Sequence, residues 1–240
     1  MSTDLTLRSA TLEDASALAD LFIAARRAVE PAMPAPVHTP AGIHAWFVEQ
    51  LTGGRETWVA ERAGVLAGYL VLDVEWLDSL YVCPHTTGQG IGTILLDLAK
   101  SLRPGGFGLW VFESNLAAQR FYVRHGLLAL ERTDGRDNEE REPDLTMVWP
   151  GEEPLAYLRR QVDAVDTVLG KALGRRAALT AAIQRFKAVP GPDGRDHERE
   201  AAIAARLAEH APNLGADRVQ RILHTVITES LEAAAHEHGS

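Results

Sequence analysis

The run Trp76-Leu-Asp-Ser-Leu-Tyr-Val-Cys-Pro-His-Thr-Thr-Gly88-Gln-Gly90-Ile-Gly92-Thr-Ile-Leu-Leu96 holds an extended segment, a break at Pro84, three alternate glycines and an apolar helix from about Thr93. Alternate glycines let backbone amides turn toward one point with no Cβ in the way. A helix start adds unsatisfied N–H groups and the positive end of its dipole, so the chemistry on offer is anion binding. A dinucleotide fingerprint is excluded, because Gly-x-Gly-x-x-Gly requires glycine where Thr93 stands. A Walker loop is excluded by the missing Gly-Lys-Ser/Thr. Ordinary turn chemistry accounts for three glycines equally well, and the loop alone leaves both readings open.

A second group of residues with chemical potential lies in the last third of the chain. Arg159, Arg176 and Lys187 stand 17 and 11 residues apart, close to whole helical turns. That spacing puts them near one line, beside an apolar stripe of Leu158, Val162, Val165, Leu169, Leu173, Leu179, Ile183 and Phe186. Cations against apolar surface are costly unless anions meet them. Either the cations snorkel to water or pair with Asp163, Asp166 and Glu200, or an anionic ligand meets them.

Some 22 residues after Thr93, past a strand at Gly108–Phe112, comes Asn115-Leu-Ala-Ala118-Gln-Arg-Phe121-Tyr122-Val-Arg-His-Gly126. With the glycine loop, this makes residues 4–149 resemble the GNAT acetyltransferase family. Its hallmark is Arg/Gln-Gly-x-Gly-x-Gly/Ala followed by Asn-x-x-Ala-x-x-Phe-Tyr-x-x-x-Gly. The resemblance implies an α/β fold with a mixed, mostly antiparallel sheet and flanking helices, acetyl-CoA as co-substrate and an amine as acceptor. Amides of Gly88, Gln89, Gly90, Ile91, Gly92 and Thr93 would hold the CoA pyrophosphate, and Leu80, Tyr81, Val82 and Thr87 just before them would also bind the cofactor. Asn115 would bind the pantetheine arm. Tyr122 would protonate the leaving thiolate, as a phenol of pKa about 10 can; a core aromatic is its plainer reading. Asp78 is a candidate base, with water as the alternative. Thr87 departs from the Arg or Gln of the pattern, though its amide remains. The loop Pro31–His38 falls where family members build the acceptor pocket, which makes His38 a candidate substrate contact.

The second group resembles the AroQ-type chorismate mutases. The matching segments are Leu158–Asp166, Arg175-Arg176, Ile183-Gln-Arg-Phe-Lys187 and Arg195-Asp-His-Glu-Arg-Glu200. The resemblance implies an all-helical domain of three helices in an intertwined homodimer that converts chorismate to prephenate. Arg159 would reach into the partner's site and bind one carboxylate, and Arg176 the other. Lys187 would donate to the ether oxygen, while Asp196, Arg199 and Glu200 frame the ring hydroxyl and Ser230 completes the site from the last helix. The reaction is pericyclic, so preorganised donors suffice and no metal is called for. Ala234 stands where the pattern places Gln or Glu as a second ether-oxygen donor. Action on isochorismate or aminodeoxychorismate, or a non-catalytic dimerising and metabolite-sensing role, are the alternatives.

The elements that must position these residues follow from the pattern. Leu5–Arg8, Thr57–Ala60, Val65–Val74, Trp76–Val82 and Gly108–Phe112 read as strands, and Thr11–Val29 and Thr39–Leu51 as helices capped by Thr11 and Thr39. The charge-dense Thr133–Glu142 reads as a solvated loop. Pro150-Gly151-Glu152-Glu153-Pro154 halts both helix and strand, which sets domains at 1–150 and 155–240. Beyond it lie a helix of about 33 residues, roughly 50 Å long, and two shorter ones, the first capped by Asp196. A helix that long in so small a domain needs a second subunit. The net charge of -9 disfavours nucleic acid, so any anionic ligand needs a local cation cluster. No apolar run reaches membrane-span length, and no secretory signal opens the sequence. Cys83 is the only cysteine, which suits a reducing cytoplasm.

Overall fold

A computed structural model describes residues 5–31, 33–189 and 191–238 of the chain. The chain divides after Arg159 into two compact units. In the first, β1 (Leu5–Ser9), β2 (Glu56–Arg62), β3 (Val65–Leu72) and β4 (Leu77–Val82) form an antiparallel sheet in chain order. A second sheet has β5 (Phe107–Phe112), β7 (Asp144–Trp149) and β6 (Leu128–Thr133) in the order β5-β7-β6.

Helices cover both faces of the first sheet, which is why β3 reads as an unbroken apolar run. Its residues alternate in direction: Leu70 and Leu72 join Ile91, Leu95 and Leu96 of helix α3 (Ile91–Leu102). Tyr69 and Val71 join Leu18, Ile43 and Phe47 from helices α1 (Ala15–Ala28) and α2 (Pro40–Thr52). Helix starts follow from their capping residues. Thr39 Oγ1 accepts from Gly42 N at 3.2 Å, with Pro40 at the first helical position. Thr11 and Asp14 form a reciprocal capping box around a short 3-10 turn, Leu12–Asp14, that precedes α1. Arg8 forks onto the same Asp14 at 2.7 and 2.8 Å.

The sheets meet at one point. Trp76 forms a parallel bridge with Gly108, and Gly108 N donates to Glu75 O at 2.9 Å. Glycine is required there, since a Cβ would come within 2.9 Å of the Trp76 ring, itself stacked 3.8 Å from Trp110. Beyond the bridge, no further ladder joins β4 to β5 among the described residues, so the two parallel strands leave a slot between them. Helix α4 (Leu116–Arg124) follows β5.

The second unit is helical. Helix α5 (Pro154–Gln184) runs 31 residues, about 46 Å; α6 (His197–His210) and α7 (Ala216–His238) follow. The boundary between units falls inside α5 because Tyr157, 3% exposed, packs over Gly106 of the first. Helices α6 and α7 bury Ala204, Leu223, Ile227 and Leu231 against one another. From Val162 to Ile183 the stripe on α5 is left in solvent, from 39% exposure at Leu173 to 66% at Val165.

One sequence expectation needs correction. Lys187 does not share the helical line of Arg159 and Arg176, because α5 stops at Gln184. Arg185 N and Phe186 N close the end by bonding back to Ala182 O and Ile183 O at 3.2 and 3.0 Å. Among the described residues, no helix is long and apolar enough to cross a membrane.

Candidate active sites

The slot between β4 and β5 opens into a cleft of about 920 Å³. It brings together Asp78, Leu80, Tyr81 and Val82 from β4, Thr87 from the loop, Asn115 from the cap of α4 and Tyr122 from within that helix. Register explains why β4 can serve a ligand: Leu72 pairs with Leu77 but Val71 with Ser79, so Asp78 is an extra, bulged residue. A bulge re-aims a side chain and takes one residue out of the ladder. Asp78 Oδ1 sits 3.4 Å from Arg55 Nη1.

Past β4, Gly88 and Gly90 adopt φ of 80° and 82°, where an L side chain is strained, and a Cβ at either would project into open space. The first intrahelical bond of α3 is Ile94 N to Gly90 O at 3.1 Å. Earlier amides at the helix start therefore have no acceptor within the helix. Gln89 N is partly committed, donating to Thr86 O at 3.3 Å, and Ile91 keeps its side chain in the core at 1% exposure. The Thr93 hydroxyl is also engaged, 3.1 Å from His125 Nε2. His125 Nδ1 lies 2.7 Å from Phe121 O and must donate, because a carbonyl only accepts. In the neutral ring Nε2 is then the acceptor, and Thr93 donates to it.

Asn115 caps α4, its Oδ1 accepting from Ala118 N at 3.1 Å. Its Nδ2 stays available to donate. Tyr122 is 9% exposed, and burial above all, with Tyr81 nearby, pushes its phenol well above the usual range. It therefore stays protonated at any working pH, as a proton donor must.

His38 is not part of the cleft lining; it lies exposed with Nε2 2.9 Å from Glu139 Oε2. Sequence reasoning missed Arg26. This arginine is 4% exposed, lines the cleft, and donates from Nη2 to Pro34 O at 2.6 Å and Glu140 Oε1 at 2.9 Å. The hairpin between β6 and β7, expected as a solvated loop, thereby forms a wall of the cleft, with Asn138, Glu140 and Asp144 in its lining. Only the charge density of that segment hinted at such a role.

In the second unit, Arg176 Nη1 donates to Ser230 Oγ at 3.0 Å and Val226 O at 3.4 Å, joining two residues 54 positions apart. Lys187 Nζ is turned onto Gly194 O. Asp196 caps α6, accepting from Arg199 N at 2.9 Å, while the Arg199 side chain is exposed. Glu200 is forked by Arg195, whose hydrogen bond is the main reason its carboxyl lies below the usual range. Arg159 is exposed, with no ion pair to another described residue. Ala234 is 2% exposed, one turn past Ser230. The structure thus pairs Arg176 with Ser230 within one subunit but leaves Arg159 outside that grouping.

Comparison with known proteins bears on both units. Residues 18–127 match the Acetyltransferase (GNAT) family and residues 158–234 match Chorismate mutase type II. The peptidyl-lysine N-acetyltransferase YjaB of Salmonella typhimurium is 34% identical over 83 residues, 35% of this chain and 57% of that protein. The chain thus spans little more than half the length of this curated relative. The solution structure of apo-form YjaB from Escherichia coli aligns with a TM-score of 0.52 at 21% identity, over 62% of this chain and 99% of that one. A GCN5-related N-acetyltransferase from Rhodopseudomonas palustris aligns with a TM-score of 0.52 at 25% identity, over 62% and 98%. Residues 18–127 are thus similar to the GNAT acetyltransferases, and residues 158–234 to the type II chorismate mutases.

Proposed function

We propose that the chain is a bifunctional enzyme, an acetyl-CoA-dependent N-acetyltransferase in residues 1–150 and a chorismate mutase in residues 155–240. The observation that carries the first activity is the buried Tyr122 phenol in a cleft that is also lined by Thr87, the residue that opens the glycine loop. Acetyl-CoA supplies the acyl group as a thioester. Amides from Gly88 to Thr93 hold its pyrophosphate, and Asn115 Nδ2 donates to the pantetheine arm. Tyr122 gives its proton to the departing sulfur, while Asp78, or water, takes the proton of the attacking amine. The likeness to a peptidyl-lysine acetyltransferase makes a lysine ε-amine the first acceptor to try. Free thiol released from acetyl-CoA in the presence of a lysine peptide tests this, and no release with any primary amine would refute it.

For the mutase, Arg176 with Ser230 supports a carboxylate site, and Lys187 would turn from Gly194 to the ether oxygen on binding. The exposed stripe of α5 and the unpaired Arg159 support an intertwined homodimer in which Arg159 completes the partner's site. Mixing Arg159→Ala chains with Arg176→Ala chains should then restore one intact site per heterodimer. Mixtures as inactive as either variant alone would refute the sharing.

Ala234 favours a second reading, a dimerising and metabolite-sensing domain without turnover, since the second donor to the ether oxygen is absent. Chorismate binding without consumption would select it. A relative of chorismate, such as isochorismate or aminodeoxychorismate, is the other substrate to try. A single cysteine and the nature of both substrates fit a cytoplasmic enzyme.

A further inference from the structure

We propose that Arg195 is a positioning residue of the mutase site, forked onto Glu200 so that this carboxylate accepts a hydrogen bond from bound substrate in one fixed direction. The inference rests on the mutase reading above.

Arg195 Nε reaches Glu200 Oε1 at 2.9 Å and Nη2 reaches Oε2 at 2.7 Å, a two-bond fork. Such a fork fixes the plane of a carboxylate as well as its distance. The remaining faces of the guanidinium are held from α7. Nη1 donates to Thr228 Oγ1 at 3.1 Å, and Nη2 lies 3.2 Å from His224 Nδ1. Since arginine only donates, His224 Nδ1 accepts and is unprotonated in this arrangement. Both side chains of the pair are largely buried, at 12% and 19% exposure.

Helix capping does not require this arrangement. Asp196 already accepts from Arg199 N with its side chain, and Asp196 O accepts from Glu200 N at 3.0 Å. Arg195 is thus spent on the Glu200 side chain rather than on the helix start. Nor does Arg199 hold Glu200, since its own side chain is exposed. The fork occupies one lone pair on each carboxylate oxygen, and an ionised carboxylate has about four. Glu200 therefore keeps acceptor capacity for a substrate hydroxyl.

The groups facing Glu200 are Arg195, His197 on α6 with Nδ1 3.8 Å from Oε2, and His224 on α7 behind the arginine. Arg195 is the main influence keeping the Glu200 carboxyl ionised. Removing Arg195 should let that carboxyl titrate at higher pH, and the acid limb of turnover should move toward neutrality.

The test is chorismate turnover by the full chain, as kcat, KM and pH profile, for wild type, Arg195→Met and Arg195→Lys. Arg195→Met should lower kcat roughly 10- to 100-fold, the range expected when hydrogen bonds to a charged group are lost, and raise the acid limb. Arg195→Lys restores the charge without the fork, so the acid limb should return while kcat recovers only in part. Wild-type kcat and acid limb in Arg195→Met would overturn the proposal. So would equal loss in both variants with no movement of the limb. If Arg195→Met does not fold, Arg195→Lys decides, because wild-type kcat there would overturn it. A wild-type chain that leaves chorismate untouched would instead bring down the mutase reading itself.

Discussion

Gly90 and Gly92 stand two residues apart in the proposed pyrophosphate loop, and the structure predicts opposite effects of alanine at each. At Gly90, φ is 82°, and an added Cβ meets nothing within 4 Å. The strain of a left-handed L-residue costs about 1–2 kcal/mol, with no contact to offset it. One kcal/mol moves the melting point of a domain this size by roughly 2–4 °C, so Gly90→Ala should melt a few degrees lower. Gly92 lies in the first turn of α3, where its Cβ would meet Phe121 Cζ at 3.5 Å and Val82 Cγ2 at 3.6 Å, ordinary contacts. Alanine there gains up to about 1 kcal/mol of helix propensity, so Gly92→Ala should melt no lower than wild type. Ligand binding should diverge further. The Gly90 methyl projects into the space assigned to the pyrophosphate, whereas the Gly92 methyl points into the protein. Calorimetric titration with acetyl-CoA should show at least tenfold weaker binding for Gly90→Ala and a change within about threefold for Gly92→Ala. Wild-type affinity in Gly90→Ala would refute the cradle.

Three further outcomes follow from named contacts. Tyr122→Phe keeps the ring and removes the donor, so kcat for acetyl transfer should fall about 100-fold with KM for acetyl-CoA nearly unchanged, as steady-state kinetics will show. Asp14, held at about 2 chiefly by its hydrogen bonds from Arg8, contributes stability that is full above its usual range near 3.8 and lost as pH falls toward 2. Asp14→Asn should cost about 1–2 kcal/mol at pH 7, discounted because Arg8 is 35% exposed, and the difference from wild type in denaturant melts should shrink as pH falls through about 2, closing only below it. Ala234→Gln should raise chorismate turnover at least about tenfold by supplying the missing donor, with Ala234→Leu as a control that gains nothing; equal behaviour of the two would show that position 234 does not face the ether oxygen.

How far the sequence anticipates the structure depends on the range of the forces involved. The strand, glycine loop and helix around residues 76–96 were readable because proline and glycine act on their own backbone. The Thr39 and Asp196 caps were readable for the same reason, each acting within three residues. Strands β6 and β7 were not read as strands. Every position of β6 is exposed, so no alternation of burial marks it. The bulge at Asp78 depends on the register of a neighbouring strand. Arg26 and Glu140 lie 114 residues apart and meet only through the fold. On α5, periodicity located the helix and its stripe but overran the end, since apolar spacing continues through Phe186 after the backbone has left the helix.

The central claim is that one chain carries two separable active sites. Its most direct test follows the loss of chorismate's ultraviolet absorbance with the full-length wild type, Arg176→Ala and Tyr122→Phe. The account predicts saturable consumption by wild type, the same rate in Tyr122→Phe, and loss of at least about 100-fold in Arg176→Ala, where a carboxylate loses its charge-assisted partner. Chorismate decaying at its uncatalysed rate with wild type, or a mutase rate that falls with Tyr122→Phe, would contradict it.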